Sequence, residues 1–340
     1  NLYHVIGPDE KGETMTATRN AWHIPRYGGP ETLTPVTLPL AAPGPGEVLI
    51  RIHASAVTRA DGMMRKGEPL FARLFLGLRR PRNGLSGTGL SGEVIAVGEK
   101  VSRFAPGDLV FGEAGMRFGA NASHICLSED GVLMPKPEPL PHEDAAVLCD
   151  GVLTSWHYLR NLGQLRRGER VLILGGAGSL GSAAVQIAAD MGAEVTATSS
   201  ARNADLVASL GATCVIDYVT EEALQRGAGY DVIFDTVGAA SFFAAKPALA
   251  EAGRYLCPVL TLRRVPAILW SSLIGRKRAM FAAVGLEKPQ RLRAMLREII
   301  TLIGQGRLTP LMDRIYPLAD LIEAHAYVET GHKRGNVVVV

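Results

Sequence analysis

In the stretch VLILGGAGSLG, Gly176, Gly178 and Gly181 stand at the spacing G-x-G-x-x-G, which suits the pyrophosphate of a dinucleotide. On that reading Gly176 permits a tight turn, Gly178 lets phosphates approach the backbone, and Gly181 allows close helix–strand packing. Ser179, Leu180 and Gly181 then open a helix whose N-terminal N–H groups and positive dipole end meet the phosphates. The overlapping Ala177-Gly178-Ser179-Leu180-Gly181 also lies one residue from the G-x-S-x-G turn that presents a hydrolase serine. A hydrolase needs an acid and then a histidine downstream, and Ser179, Asp235 and His325 supply that order.

The next strand separates one dinucleotide from another. An NAD site carries Asp or Glu about 20 residues past the loop, where it holds the ribose hydroxyls. Here the strand ends Thr198-Ser199-Ser200-Ala201-Arg202-Asn203, with no acid. Ser199, Ser200 and Arg202 instead offer hydroxyls and a guanidinium, which suit a 2′-phosphate. NADPH is therefore the expected cofactor.

The elements around the loop support the cradle. Val171–Gly175 is an unbroken apolar strand, as expected when helices cover both faces. Leu180, Ala184, Ile187 and Met191 then recur at helical spacing up to Gly192. Strands follow at Glu194–Ser199, Cys214–Tyr218, Tyr230–Val237 and Arg254–Val259, with a sixth at Arg278–Val284. Such alternation of strands and helices implies a doubly wound parallel sheet. Ahead of it, Ala21 to Pro141 shows short strands and turns, including Glu47–Ile52, Gly92–Gly98 and Leu109–Gly112, as in a β-rich barrel or sandwich. The helix Pro289–Ile303 and the strand Val337–Val340 close the chain.

At 340 residues the chain suits two domains. The expected division is residues 1–147, 148–286 and a returning segment 287–340, with 1–14 set aside as a leader or tag ahead of Met15. The 36 basic and 33 acidic residues leave too small an excess to argue for nucleic acid. Cys126, Cys149, Cys214 and Cys257 are widely spaced, which suggests reduced thiols and a cytoplasmic setting. No apolar run reaches the ~20 residues needed to span a bilayer.

Five stretches together resemble the medium-chain dehydrogenase/reductase superfamily, in its zinc-free quinone oxidoreductase (ζ-crystallin-like) branch. They are GEVLIRIHASAVTRADGMMRKG, GTGLSGEVIAVGEKVSRFAPGDLVFG, GERVLILGGAGSLGSAAVQIAADMGAEVTATSS, YDVIFDTVG and ETGHKRGNVVVV. The resemblance implies an α/β fold: a GroES-like β-rich catalytic domain, completed by the C-terminal segment, and a Rossmann NADP-binding domain. It implies hydride transfer from NADPH to a small electrophile, a quinone, enal or enone. It places Thr58 and Asp61 at the catalytic cleft, Thr154 near the nicotinamide, Tyr218 near the adenosine phosphate, and Asp235, Thr236, Val237 and Gly238 along the ribose. A homodimer is also expected.

Zinc-dependent relatives take their metal from a cysteine, a G-H-E motif and a later cysteine. Those positions match Thr58, Gly87-Thr88-Gly89 and a place near Cys149. A hydroxyl of ordinary pKa does not replace thiolate or imidazole on zinc, so no zinc is expected. The enoyl-reducing relatives' tyrosine is missing after Arg65-Lys66-Gly67, a departure that favours quinone-like acceptors over enoyl thioesters. An NADP-dependent alcohol/ketone oxidoreductase, a serine hydrolase using Ser179 and a non-catalytic NADPH sensor stand as alternatives. The basic-apolar segments 71–82 and 263–278 are expected to be packed, partly covered connections with snorkelling cations, with a substrate lid, a subunit contact or a patch on an anionic membrane as the alternatives.

Overall fold

The computed structural model describes residues 17–340, and the segment 1–14 lies outside them. Strands β1 (Thr18–His23) and β2 (Thr34–Pro39) form an antiparallel hairpin. β3 (Glu47–Ala56), β4 (Gly89–Val97), β5 (Leu109–Glu113), β6 (His124–Ser128) and β7 (Val132–Pro135) build an antiparallel region. The parallel sheet takes β8 (Arg170–Leu174), β9 (Glu194–Ser199), β10 (Cys214–Asp217), β11 (Tyr230–Asp235), β12 (Leu249–Leu256) and β13 (Arg278–Met280). Finally β14 (Met312–Tyr316) and β15 (Asn336–Val339) return to the first region, where β15 pairs antiparallel with β3.

The parallel sheet runs β10-β9-β8-β11-β12-β13. Its chemistry follows from alternation along β8. Val171 and Ile173 point into one core with Ala184 and Ile187 of the helix Ser179–Asp190 and with Leu292 and Leu296 of the helix Pro289–Gly304. Leu172 and Leu174 point into the opposite core with Phe242, Ala245 and Ala267. A strand covered on both sides has no polar face to show, which is why it reads as a continuous apolar run.

Three expectations need correction. The fifth strand is Leu249–Leu256, not Arg254–Val259: it includes Glu251 and Gly253, whose polar or small character hides it from an apolar pattern. The sixth stops at Met280, so it is far shorter than Arg278–Val284. The segment 263–278 is more than a connection: it contains a helix, Val265–Leu273, that buries Ala267 and Ser271 while Leu269, Trp270 and Leu273 are exposed. Leu74, Phe75 and Leu78 of the segment 71–82 are exposed as well.

Between the two sheets the chain winds through residues 142–162, which include a π-helical turn, Leu148–Val152. Such wide turns absorb one extra residue within a helix and recur at functional sites. Gly151 in that turn lies so close to the cofactor-side helix that a Cβ there would sit 2.2 Å from Ser179 Oγ.

Candidate active site

β8 and β11 are neighbours at the point where the strand order reverses, so the loops at their C-terminal ends diverge and leave a crevice. A cleft of about 500 Å³ opens there. Its walls carry Gly175, Gly178, Ser199, Ser200, Arg202, Tyr218 and Val237, and also Gly331, His332 and Lys333 from the far end of the chain.

Within the glycine loop the roles shift by one residue. Gly175 has φ +85° and lines the cleft, so the tight turn falls on it and not on Gly176. Gly176 is a packing position: its Cβ would touch Ala197 Cβ at 3.0 Å and Val207 Cγ1 at 3.1 Å. Gly178 is the N-cap of the helix Ser179–Asp190, with no side-chain cap and nothing nearer to its ideal Cβ than 3.8 Å. Gly181 is excluded from bearing a side chain, since its Cβ would fall 1.9 Å from Gly175 O. The helix terminus thus offers unscreened N–H groups beside an open backbone surface. Leu180 faces inward against the core, and its carbonyl accepts from Ser155 Oγ at 2.8 Å.

At the other end of the cleft, Ser199 is buried and donates its hydroxyl to Ser200 O at 3.0 Å. Arg202 and Tyr218 are exposed on the cleft wall, and the Tyr218 N–H is anchored on Ser199 O at 3.2 Å. Glu221 also lines this end, but its carboxylate is paired with Arg226 at 2.6 Å.

The β11 loop departs from the expectation that Asp235 and Thr236 face the ribose. Asp235 is completely buried and accepts the N–H groups of Gly238, Ala239 and Ala240 at 2.7–2.9 Å, plus the Tyr255 hydroxyl at 2.7 Å. Thr236 donates to Leu174 O at 2.7 Å, tying the ends of β8 and β11 together. Both side chains shape the loop, and the cleft wall is formed there by Val237, Ala239 and Ala240.

Thr58 and Asp61 are joined in a capping box at the start of the helix Arg59–Lys66. Thr58 Oγ1 accepts from the Asp61 N–H at 3.0 Å and donates to Asp61 Oδ2 at 2.7 Å, and Oδ2 also takes the Thr58 N–H at 2.9 Å. Asp61 Oδ1 is left buried and unpartnered. Burial raises the Asp61 carboxyl to about 7, against the Thr58 hydrogen bonds, with the Asp150 charge adding to the rise. Burial and Asp150 likewise raise Glu113, at the end of β5, to about 7. Asp150 itself is raised by burial and drawn back by Lys333. Lys333 is lowered to about 8 by burial, against the pull of Asp150 and Asp313. Thr154 stands half-buried in the helical turn Leu153–Trp156, next to this group along the chain.

Asp150, Glu113 and Lys333 were not legible in the sequence as site residues. ETGHKRG, with its adjacent His332, Lys333 and Arg334, was the available hint for the third. The hydrolase alternative fails on geometry. Ser179 donates to Asn336 Oδ1, Asp235 is committed to its loop, and both ring nitrogens of His325 are buried without a partner. Burial keeps that imidazole neutral, at about 3.

Residues 44–138 match the family described as Alcohol dehydrogenase GroES-like domain, and residues 210–339 match Zinc-binding dehydrogenase. The NAD(P)H oxidoreductase RTN4IP1, mitochondrial, of Mus musculus is 30% identical, over 98% of this chain and 92% of the mouse protein. The chain belongs to the medium-chain dehydrogenase/reductase superfamily, on its quinone oxidoreductase branch. The quinone oxidoreductase from Coxiella burnetii superposes with a TM-score of 0.84 at 29% identity, covering 95% of this chain and 99% of that one. The mycobacterial protein Rv1454c complexed with NADPH gives 0.79 at 26% identity, covering 95% and 99%.

The second family description implies zinc, and the donors at the corresponding positions do not suit it. Thr58 has its hydroxyl engaged in the capping box. Thr88 is a second neutral hydroxyl, and Cys149 is buried with its thiol pushed well above the usual range. Zinc prefers thiolate and imidazole in such sites. Among the described residues no three His, Cys, Asp or Glu are grouped to hold a metal.

Proposed function

We propose that this chain is an NADPH-dependent oxidoreductase that delivers hydride, without zinc, to a quinone or an α,β-unsaturated carbonyl. The observation that carries the cofactor choice is the β9 end of the cleft: Ser200 and Arg202 stand on its wall, and the β9 end itself bears no carboxylate. An acid there would hold ribose hydroxyls and repel a 2′-phosphate, whereas a guanidinium pairs with the phosphate.

The residues present fit the cofactor. The glycine loop leaves the backbone open at Gly175 and Gly178, and Lys333 supplies a cation on the same cleft. Arg202 and Tyr218 would hold the adenosine phosphate, the helix N-terminus and Lys333 the pyrophosphate, and Val237 the ribose side. Bound there, NADPH supplies the hydride. The protein's part is to fix the loop walls: Asp235 and Tyr255 lock residues 238–240, and Thr236 holds β11 against β8. An acceptor whose negative charge spreads onto oxygen needs only hydrogen bonds or a proton for stabilisation, so no Lewis acid is required.

We also propose the homodimer, supported by the exposed apolar face Leu269, Trp270 and Leu273. Sedimentation at the mass of one chain would overturn it.

Two measurements test the function. Fluorescence titration should give NADPH binding at least about 10-fold tighter than NADH, about 1.4 kcal/mol. NADPH absorbance followed with quinones, enals, enones and ketones should show turnover of the first three that EDTA leaves intact. Equal affinities for the two nucleotides, or turnover confined to ketones and lost in EDTA, would overturn the proposal.

A further inference from the structure

Between Pro69 and Gly92 the sequence carries no Asp or Glu, yet Arg73, Arg79, Arg80 and Arg82 all fall there. In a chain whose whole excess is three positive charges, this is a local concentration. The same stretch is apolar, with Leu70, Phe71, Leu74, Phe75, Leu76 and Leu78. The structure holds these side chains on a fixed platform. A turn, Leu70–Ala72, leads into the short helix Arg73–Leu76. Arg73 faces inward: its guanidinium donates to Gly67 O at 3.1 Å and to Lys66 O at 3.0 Å, and lies 4.5 Å over the Tyr27 ring. The Tyr27 hydroxyl donates to Gly77 O at 2.6 Å. Gly77, with φ +127°, reverses the chain so tightly that a Cβ there would fall 2.1 Å from Arg80 O. The Arg82 N–H closes the turn on Leu76 O at 2.7 Å, which folds Arg79, Arg80 and Arg82 back beside the helix.

The remaining side chains point outward. Leu70, Leu74, Phe75 and Leu78 are each 62–72% exposed, on a segment that is pinned from below. Arg79, Arg80 and Arg82 are exposed too, and among the described residues their side chains have no ion pair or hydrogen bond. None of these residues lines the cofactor cleft, so the segment does not close over it. The other exposed apolar face, around Leu269, Trp270 and Leu273, has its cations engaged. There Arg276 pairs with Glu251 at 2.6 Å, and Lys277 donates to Lys246 O and Leu249 O at 2.8 and 2.7 Å. A two-fold contact sets a patch against its own copy, and through residues 70–82 it would bring three unpaired arginines against three. An anionic lipid surface is complementary instead: the acyl boundary accepts Leu and Phe, and the headgroups accept guanidinium.

We propose that residues 70–82 are a docking surface for an anionic lipid bilayer, with Leu70, Leu74, Phe75 and Leu78 seated among the headgroups and Arg79, Arg80 and Arg82 on their charge. The contact uses neither the cofactor nor the acceptor, so it stands apart from the reductase reading.

The experiment floats the full chain with vesicles of phosphatidylcholine alone and with vesicles containing about 30% phosphatidylserine. Wild type should bind the anionic vesicles at least about 10-fold more strongly, and should lose that preference in high salt, which screens exposed charge. Arg79→Gln should weaken binding about 5-fold, the effect of one cation near such a surface. Arg276→Gln, the same charge change on another face, should leave it unaltered. Leu74→Ser combined with Phe75→Ser should weaken binding about 10-fold or more with the charge unchanged. Phe75→Trp keeps an aromatic ring, and its added emission should shift to the blue on anionic vesicles only. Unshifted emission would overturn the proposal whatever the serine variant does. Equal binding of wild type to both vesicle types, or equal losses in Arg79→Gln and Arg276→Gln, would overturn it as well. A fall from dimer to monomer in the serine variant, sedimented without lipid, would give this face to a second copy of the chain and overturn the lipid assignment.

Discussion

Ser179 donates its hydroxyl to Asn336 Oδ1 at 2.5 Å, joining the first residue of the cofactor-side helix to the first residue of β15. Asn336 donates onward to Leu311 O at 3.0 Å, and the parallel bridge between Gly178 and Gly335 lies alongside. The strand that returns to the GroES-like sheet is therefore tied to the phosphate cradle itself. A residue that the sequence allowed as a nucleophile is a tether between the two halves of the site.

Ser179→Ala should therefore destabilise the protein without abolishing an esterase. The loss leaves Asn336 Oδ1 buried and unpaired, which costs about 1–3 kcal/mol. Thermal melts should show the drop, and NADPH-dependent turnover should persist. Esterase activity in wild type that vanishes in the variant would restore the hydrolase reading.

Arg202 and Lys333 should divide their effects between the two ends of the cofactor. Arg202→Ala removes a guanidinium from the β9 end of the cleft, so NADPH affinity should fall about 10-fold or more, in line with one lost charged hydrogen bond. NADH affinity should hardly change, because the missing partner is the 2′-phosphate. Lys333→Met should weaken both nucleotides alike, since a pyrophosphate is common to them. Parallel titrations decide: equal losses for both nucleotides in Arg202→Ala would remove the NADP assignment at that end.

The legible parts of this site were those made by local sequence. β9 was readable as Glu194–Ser199 because Gly192 and Ser200-Ala201 punctuate a short stretch in which apolar Val195 and Ala197 alternate with β-branched Thr196 and Thr198. The glycine loop was readable because its spacing serves one short turn, although the positive φ sits on Gly175, one residue early. Asp150 and Lys333 were not readable. They come from distant parts of the chain, and the return of β15 to pair with β3, close to Lys333 in sequence, is a long-range closure that leaves no periodic trace. The family resemblance sets Asp235 along the ribose, and the structure turns its carboxylate away. Its place at a strand end is visible in sequence, but the direction of its carboxylate depends on Tyr255 and the backbone of residues 238–240.

The raised carboxyls give the folded state a definite pH dependence. Asp61 and Glu113 both bind protons more tightly when folded, near 7, than an unfolded carboxyl does. Between about pH 4 and 7 these two carboxyls hold more protons in the native state than in the unfolded chain, so their contribution to stability falls as pH rises, opposite to that of buried His325, whose lowered imidazole contributes stability that rises with pH up to its unfolded value. Asp61→Asn stays neutral at every pH and keeps an oxygen for the Thr58 donors. It should flatten the decline by a sizeable part of the roughly 1–3 kcal/mol expected from such a group. Denaturant unfolding at pH 5 and pH 7 measures this. An Asp61→Asn variant whose change in stability between pH 5 and pH 7 runs parallel to that of wild type would contradict the assignment.

The two glycines of the loop that look alike in sequence should respond in opposite ways to alanine. At Gly181 a Cβ would lie 1.9 Å from Gly175 O and 2.9 Å from Gly176 Cα, both backbone atoms that cannot move aside without opening the turn. Gly181→Ala should therefore destabilise the fold by more than about 3 kcal/mol, the upper range for overpacking. Gly178 has φ −79°, ordinary for any residue, and open space around its ideal Cβ. Gly178→Ala should fold with wild-type stability, yet its methyl group would occupy the surface that the pyrophosphate needs, so NADPH binding should weaken. Thermal melts and nucleotide titrations on the two variants separate a packing glycine from a ligand-facing one. A stable Gly178→Ala that binds NADPH as tightly as wild type would mean that the phosphates lie elsewhere on the cleft.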